Sequence, residues 1–125
     1  MKVLALDFGA ARTGVAVSDP TGTLARPVGV IERAATEPGL DVLVQLIERE
    51  APERIVVGMP LTLRGEHGEQ ARETAEFVDA LRTRVGAPVE TFDERFTSVL
   101  AAGDDAKAAA HLLSSYLEWT SSARR

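Results

Sequence analysis

The chain has 125 residues, of which 45% are hydrophobic and 26% charged, and its formal net charge is −5. These values predict one globular domain, residues 1–120, followed by a short tail at 121–125. The absence of cysteine excludes disulfides and thiolate metal sites, and the acidic balance argues against indiscriminate coating of nucleic acid. No apolar run near the start is long enough for a signal peptide or a membrane span, so we expect a cytoplasmic protein with no membrane partner.

Three strands are predicted at the beginning of the chain. The continuous apolar run of residues 3–6 suits a central strand that is buried on both faces. Gly9 and Gly14 bracket a tight reversal into the second strand. Residues 24–32 predict the third strand, and Pro27 favours an edge or a bulge for it.

Helices and strands alternate in the rest of the chain. Thr36 is a candidate N-cap for a first amphipathic helix, which ends before an Ala-Pro pair. A second amphipathic helix is marked by apolar residues at helical spacing between Ala71 and Val85, and Gly86 and Pro88 close it. Two more strands and a final helix complete the pattern, at residues 54–58, 89–92 and 105–119.

The resulting order, β-β-β-α-β-α-β-α, predicts an α/β fold. A three-strand meander followed by parallel crossovers gives a five-stranded mixed sheet with helices on both faces. Ligands of such sheets bind outside the carboxyl ends of the parallel strands. Asp7 follows the first strand, and Asp93 and Glu94 follow the fifth. We therefore expect two acidic sites at one edge of the sheet.

A third acidic residue, Asp105, opens the final helix. If the first and fifth strands lie close together and this helix packs over them, Asp7, Asp93, Glu94 and Asp105 converge. Converging carboxylates repel one another unless cations neutralise them, and oxygen ligands without Cys or a His cluster favour Mg²⁺ or Mn²⁺ over zinc. Two such ions, roughly 4 Å apart, would activate a water and stabilise the leaving oxygen in phosphodiester cleavage.

Each acidic residue also has a purely structural interpretation. Taken alone, Asp105 is better explained as a helix N-cap that interacts with the helix dipole. Asp93 could simply begin a turn. Asp7 has the weakest structural explanation, because a carboxylate that follows a fully apolar strand is costly unless a cation or backbone donors compensate for it.

Four motifs of the chain resemble the YqgF family. They are DFGAARTGVAVSDP at residues 7–20, VVGMPL at 56–61, DERFT at 93–97 and D-x-x-A-A-x-x-L-L-x-x-Y-L at 105–117. The resemblance implies an RNase H-like fold. It also implies a nuclease that either matures the 5′ end of pre-16S rRNA or resolves Holliday junctions. The expected partner is therefore structured RNA or branched DNA.

The same resemblance implies a role for individual residues. The metal ligands would be Asp7, Asp105 and one of Asp93 and Glu94, with Glu94 preferred and Asp93 retained as a further catalytic residue. The substrate would be bound by Arg12, Arg95, Thr97 and Gly9, with the two arginines holding phosphate.

One segment departs from the family pattern. The segment formed by residues 98–104 is shorter than the corresponding segment of family members, which is often basic. Either the active-site loop is truncated, or a stretch of the natural chain is absent from this sequence. The short reach of so few residues favours the second alternative. A real truncation would mainly weaken the grip on substrate.

Several functions remain open at this point. A resolvase cuts two symmetric strands and is expected to be a homodimer, whereas an RNA-end nuclease could act as a monomer. A scaffold that binds RNA without cutting it is a further alternative. An ATP-binding module of the actin, Hsp70 and sugar-kinase type shares the D-x-G-x-x-x-x-G pattern. However, such proteins close two domains around a nucleotide, and this chain has the length of one.

Overall fold

The structure is a computed structural model that describes residues 1–60, 68–93 and 105–123. The described residues form five strands and three helices in the predicted order: β1 (Val3–Asp7), β2 (Arg12–Ser18), β3 (Ala25–Glu32), α1 (Glu37–Glu50), β4 (Arg54–Met59), α2 (Glu69–Arg82), β5 (Val89–Asp93) and α3 (Asp105–Ala123). None of these helices combines the length and hydropathy needed to cross a membrane.

The strands form one mixed sheet with the order β3-β2-β1-β4-β5. The first three are antiparallel neighbours, and β1, β4 and β5 run parallel. The predicted five-stranded mixed sheet is confirmed. However, β4 lies between β1 and β5, so the two strands that end in acidic residues are not adjacent.

The two faces of the sheet are covered by different helices. Leu4 and Leu6 of β1 belong to the core beneath α1 and α2, whereas Val3 and Ala5 belong to the core beneath α3. Because successive side chains of a strand point to opposite faces, Asp7 shares its face with Val3 and Ala5. The candidate metal ligand on β1 therefore lies on the α3 side of the sheet.

Local signals near β3 and α1 have the predicted effects. β3 is an edge strand, and its register against β2 shifts between the partners Gly29 and Pro27. Thr36 caps α1, since its hydroxyl accepts a hydrogen bond from the Gly39 N–H at 3.3 Å. The proline thus marks both an edge and a bulge.

Two helix ends differ from the prediction. α2 ends at Arg82 and does not reach Val85 as a helix. The Arg84 and Val85 N–H groups both donate to the Leu81 carbonyl, at 2.9 and 3.2 Å, which tightens the last turn before Gly86. Val85 still packs against the core, which explains why it fits the apolar pattern. α3 continues to Ala123, so residues 121–123 of the predicted tail are helical.

Thr13 gives a direct test of the packing within β2. Its side chain is fully buried, and within the described ranges its hydroxyl has no hydrogen-bond partner. A buried unpaired hydroxyl costs about 1–3 kcal/mol, and valine has nearly the same shape. We expect Thr13→Val to raise the free energy of unfolding by about 1 kcal/mol in urea denaturation.

Thr74 is a matched control for this substitution. It is equally buried, but its hydroxyl donates to the Gln70 carbonyl at 2.8 Å. Thr74→Val should therefore not stabilise the protein. A Thr13→Val protein that unfolds more easily than the original would contradict the assignment of an unpaired hydroxyl.

Candidate functional site

The site begins with the pairing of β1 and β2. Asp7 is the last residue of β1, is half-buried, and faces Gly14 in the antiparallel register. Cα atoms of such partners lie about 4.5–5.5 Å apart. Whatever packs on Gly14 from the α3 side is therefore a neighbour of Asp7.

The residue that packs on Gly14 is Asp105. A Cβ atom added to Gly14 would lie 1.7 Å from the Asp105 carbonyl oxygen. The start of α3 thus rests directly on the backbone of β2, and only glycine permits this approach. Two acidic residues that are far apart in the sequence, Asp7 and Asp105, are brought to the same corner of the α3 face.

The role predicted for Gly14 as a reversal glycine is wrong. Gly14 lies inside β2, while Gly9 does lie in the reversal, where an added Cβ would be 2.5 Å from the Arg12 carbonyl oxygen. A glycine inside a strand often marks the close approach of another backbone. The sequence therefore carried a signal for the α3 contact.

Arg12 also meets Asp105 at this corner. Its Nε lies 3.2 Å from the Asp105 Oδ2, and the two side chains are 64% and 34% exposed. Asp105 is the first residue of α3, where its charge also interacts favourably with the helix dipole. The residue before Asp105 lies outside the described residues, so the N-cap interpretation of Asp105 stays a prediction.

Asp93 lies at the same edge of the sheet but on the other face. It ends β5 as the partner of Met59, and it has the strand parity of Val89, which belongs to the core beneath α1 and α2. Phe92 points to the α3 core instead. The structure therefore does not bring Asp93 onto the face shared by Asp7 and Asp105.

Three predicted site residues cannot be placed. Glu94, Arg95 and Thr97 lie outside the described residues, as does the short segment 98–104. Residues 1–60, 68–93 and 105–123 contain no group of three His, Cys, Asp or Glu side chains that could hold a metal ion. Asp7 and Asp105 offer carboxylate oxygens of the kind that hard divalent cations prefer, so the described part of the chain supplies two candidate ligands.

A polar cluster fixes the remainder of α3 over the sheet. The Arg54 guanidinium donates to the Tyr116 hydroxyl oxygen at 3.1 Å, and that hydroxyl donates to the Glu90 carboxylate. Burial, and then the bond to Glu90, raise the pKa of Tyr116 above its usual value. The Tyr116 ring also meets Phe92 edge-on at a centroid distance of 5.6 Å. Sequence reasoning missed this cluster, because its partners come from three separate elements.

A comparison with protein families identifies the chain. The family model described as RuvX, Holliday junction resolvase, matches residues 1–104. The chain belongs to this family. The predicted resemblance to a resolvase-like nuclease family is thereby confirmed. The match ends immediately before α3, so Asp105 lies outside the part that the RuvX model covers.

Relatives of this RuvX family member are similar over most of its length. A protein of Chloroflexus aurantiacus is 44% identical over 99 residues, which are 79% of this chain and 65% of that protein. A protein of Maridesulfovibrio salexigens is 41% identical over 109 residues, which are 87% of this chain and 80% of that protein. Both carry the name "Putative pre-16S rRNA nuclease". The chain thus spans just under two thirds of the Chloroflexus aurantiacus relative.

Solved structures with the same architecture include two resolvases. RuvC of T. thermophilus, in complex with a Holliday junction substrate, matches with a TM-score of 0.59 at 17% identity over 96% of each chain. The fowlpox virus resolvase in complex with junction DNA matches with a TM-score of 0.55 at 11% identity over 100% of each chain. At these identities the likeness concerns the fold, and it confirms the predicted RNase H-like class.

Proposed function

We propose that this chain is a metal-dependent nuclease that hydrolyses phosphodiester bonds at the 5′ end of pre-16S rRNA. The observation that carries the proposal is the seating of α3 on Gly14, which brings Asp105 beside Asp7 on one face of the sheet. Membership of the RuvX family supports hydrolysis of nucleic acid, and the name of the relatives supports pre-16S rRNA as the substrate. Such a substrate requires the protein to act in the cytoplasm.

The proposed metal ligands are Asp7, Asp105 and Glu94. Glu94 is preferred to Asp93 because Asp93 lies on the wrong face of the sheet. Phe92 faces the α3 core, whereas Asp93 has the parity of the opposite face. Asp93 would then act indirectly, by supporting the end of β5.

Some residues of the proposed site would hold the ions, and others would bind the substrate. Bound Mg²⁺ or Mn²⁺ would activate the attacking water and stabilise the leaving oxygen. Asp7 and Asp105 would hold and orient the ions from β1 and α3. Arg12, at the same corner, would bind a backbone phosphate, and Arg95 and Thr97 would extend this contact along the substrate. Gly9 has no side chain, so it would let the nucleic-acid strand of the substrate come close to the backbone of the β1–β2 reversal.

A second candidate function is resolution of four-way DNA junctions. The family description and the architecture shared with RuvC favour it. This activity would require a homodimer, because two symmetric strands must be cut. A third candidate, an RNA-binding scaffold without catalysis, is favoured by the short segment 98–104.

The three candidates are separated by one substrate panel. A 5′-extended pre-16S rRNA fragment, an unstructured single-stranded RNA and a four-way DNA junction are each incubated with the protein in Mn²⁺, Mg²⁺ or EDTA. We expect ion-dependent cleavage of the rRNA precursor in preference to the other two. Symmetric paired cuts in the junction would establish the resolvase instead. Tight RNA binding in EDTA, with no cleavage in either ion, would contradict the nuclease and favour the scaffold.

A further inference from the structure

Asp105, one of the two described carboxylates that would bind the proposed ions, already forms an ion pair with Arg12. The Nε–Oδ2 distance of 3.2 Å is that of a direct ion pair. Arg12 also lies across from Glu32 in the register of β2 and β3. Within the described residues, however, the ion pair that Arg12 forms is with Asp105.

Backbone geometry gives this pair an unusual constraint. Asp105 cannot move away from β2 easily, because its own carbonyl oxygen is seated on Gly14, two residues after Arg12 and on the same face. Arg12 is the mobile partner, since its side chain is 64% exposed and long enough to turn toward solvent. An exchange at this corner would therefore move the arginine and leave the carboxylate in place.

We infer that Arg12 is a built-in counter-ion that holds Asp105 while the site lacks metal and releases it when a divalent cation binds. The inference rests on the proposed metal site. Asp105 exchanges the guanidinium for the ion, and Arg12 becomes available at the same corner to bind a substrate phosphate. Arg12 thereby couples occupancy of the metal site to substrate binding, in addition to acting as a phosphate ligand.

The first measurement is the affinity for Mn²⁺ alone, by calorimetry without nucleic acid. If Arg12 competes with the ion, Arg12→Gln should bind Mn²⁺ about two- to fivefold more tightly, the range expected for loss of an exposed ion pair. The same substitution in an Asp105→Asn background should have no effect, because Arg12 acts through Asp105.

Arg33→Gln is the matched control for charge. Arg33 lies next to Glu32, its N–H donates to the Ala11 carbonyl at 3.0 Å, and within the described ranges it forms no ion pair. A general effect of removing one positive charge near the site would appear in both arginine variants. An effect through Asp105 would appear only in Arg12→Gln.

A second measurement tests the exchange without using metal affinity. A double-mutant cycle on Tm, with Arg12→Gln and Asp105→Asn, should give a coupling on the order of a few degrees in EDTA. In saturating Mn²⁺ the coupling should vanish, because the pair is then broken. A purely structural ion pair would give the same coupling under both conditions.

Failure of this inference can be told apart from failure of the proposed function. Suppose Arg12→Gln leaves Mn²⁺ affinity unchanged or weaker while Asp7→Asn reduces it. The metal site then stands and the counter-ion role is overturned. The counter-ion role is also overturned if Arg12→Gln raises the Mn²⁺ affinity equally in the Asp105→Asn background. It is overturned as well if Arg33→Gln raises the Mn²⁺ affinity as much as Arg12→Gln does. If neither Asp7→Asn nor Asp105→Asn changes Mn²⁺ affinity, the metal site is wrong and the inference falls with it.

Discussion

Asp7→Asn is expected to abolish cleavage while leaving the fold intact. Asparagine has the same shape as aspartate, and Asp7 ends β1 in a half-buried position, so the strand can accept it without repacking. The amide carries no charge and is a poor ligand for a hard cation. Outer-shell partners of metal ligands are typically worth 10–100-fold in activity, so we expect loss of a direct ligand to cost at least about 100-fold.

The measurement is the rate of precursor cleavage, accompanied by thermal unfolding of the same preparation. The Tm in EDTA should be unchanged or slightly higher, because one of two neighbouring carboxylates has been removed. Asp79→Asn is the matched control. Its carboxylate is on α2, 78% exposed and paired with Arg82 at 3.6 Å, away from the α3 face. This control should cleave at the original rate. If the Asp7→Asn protein also cleaves at the original rate, the assignment of Asp7 as a metal ligand is wrong.

Gly14→Ala should damage both stability and activity. The added methyl group would lie 1.7 Å from the Asp105 carbonyl oxygen, and this neighbour is backbone that cannot turn aside. Either β2 bends or the start of α3 lifts away from it. Overpacking of this kind costs about 1–3 kcal/mol and occasionally more, and we expect the upper end here. Cleavage should fall as well, because Asp105 is displaced from Asp7.

Gly29→Ala provides the comparison for a strand glycine without such a contact. It lies in β3, and nothing within 4 Å would meet its added Cβ atom. Its stability in urea should stay within about 0.5 kcal/mol of the original. The variants Asp7→Asn and Gly14→Ala should differ in a diagnostic way. Asp7→Asn should lose activity and keep its stability, whereas Gly14→Ala should lose both. A Gly14→Ala protein with unchanged stability would mean that α3 does not rest on β2 at this point.

The sequence predicted the order and the class of the elements well. Apolar periodicity follows from the geometry of a single helix or strand, and each element here carries its own pattern. The same local rules placed Asp7 at the end of a buried strand and Pro27 at an edge with a bulge. They were less accurate at helix ends. Val85 keeps an apolar contact with the core after α2 has ended, so the pattern outlasts the helix.

The site itself required the tertiary structure. Local patterns did not tell that β4 separates β1 from β5, or that Asp93 has the parity of the face opposite Asp7. They also did not tell that Arg12 pairs with Asp105, or that Gly14 serves α3 and not the reversal. The first two depend on how β4 and β5 pair in the sheet, and the last two depend on where α3 docks on it. Docking is decided by the complementarity of two whole surfaces, whereas periodicity describes one segment at a time. The sequence alone therefore determined which elements form and which face each presents, and the packing of α3 on β2 decided which acidic residues meet.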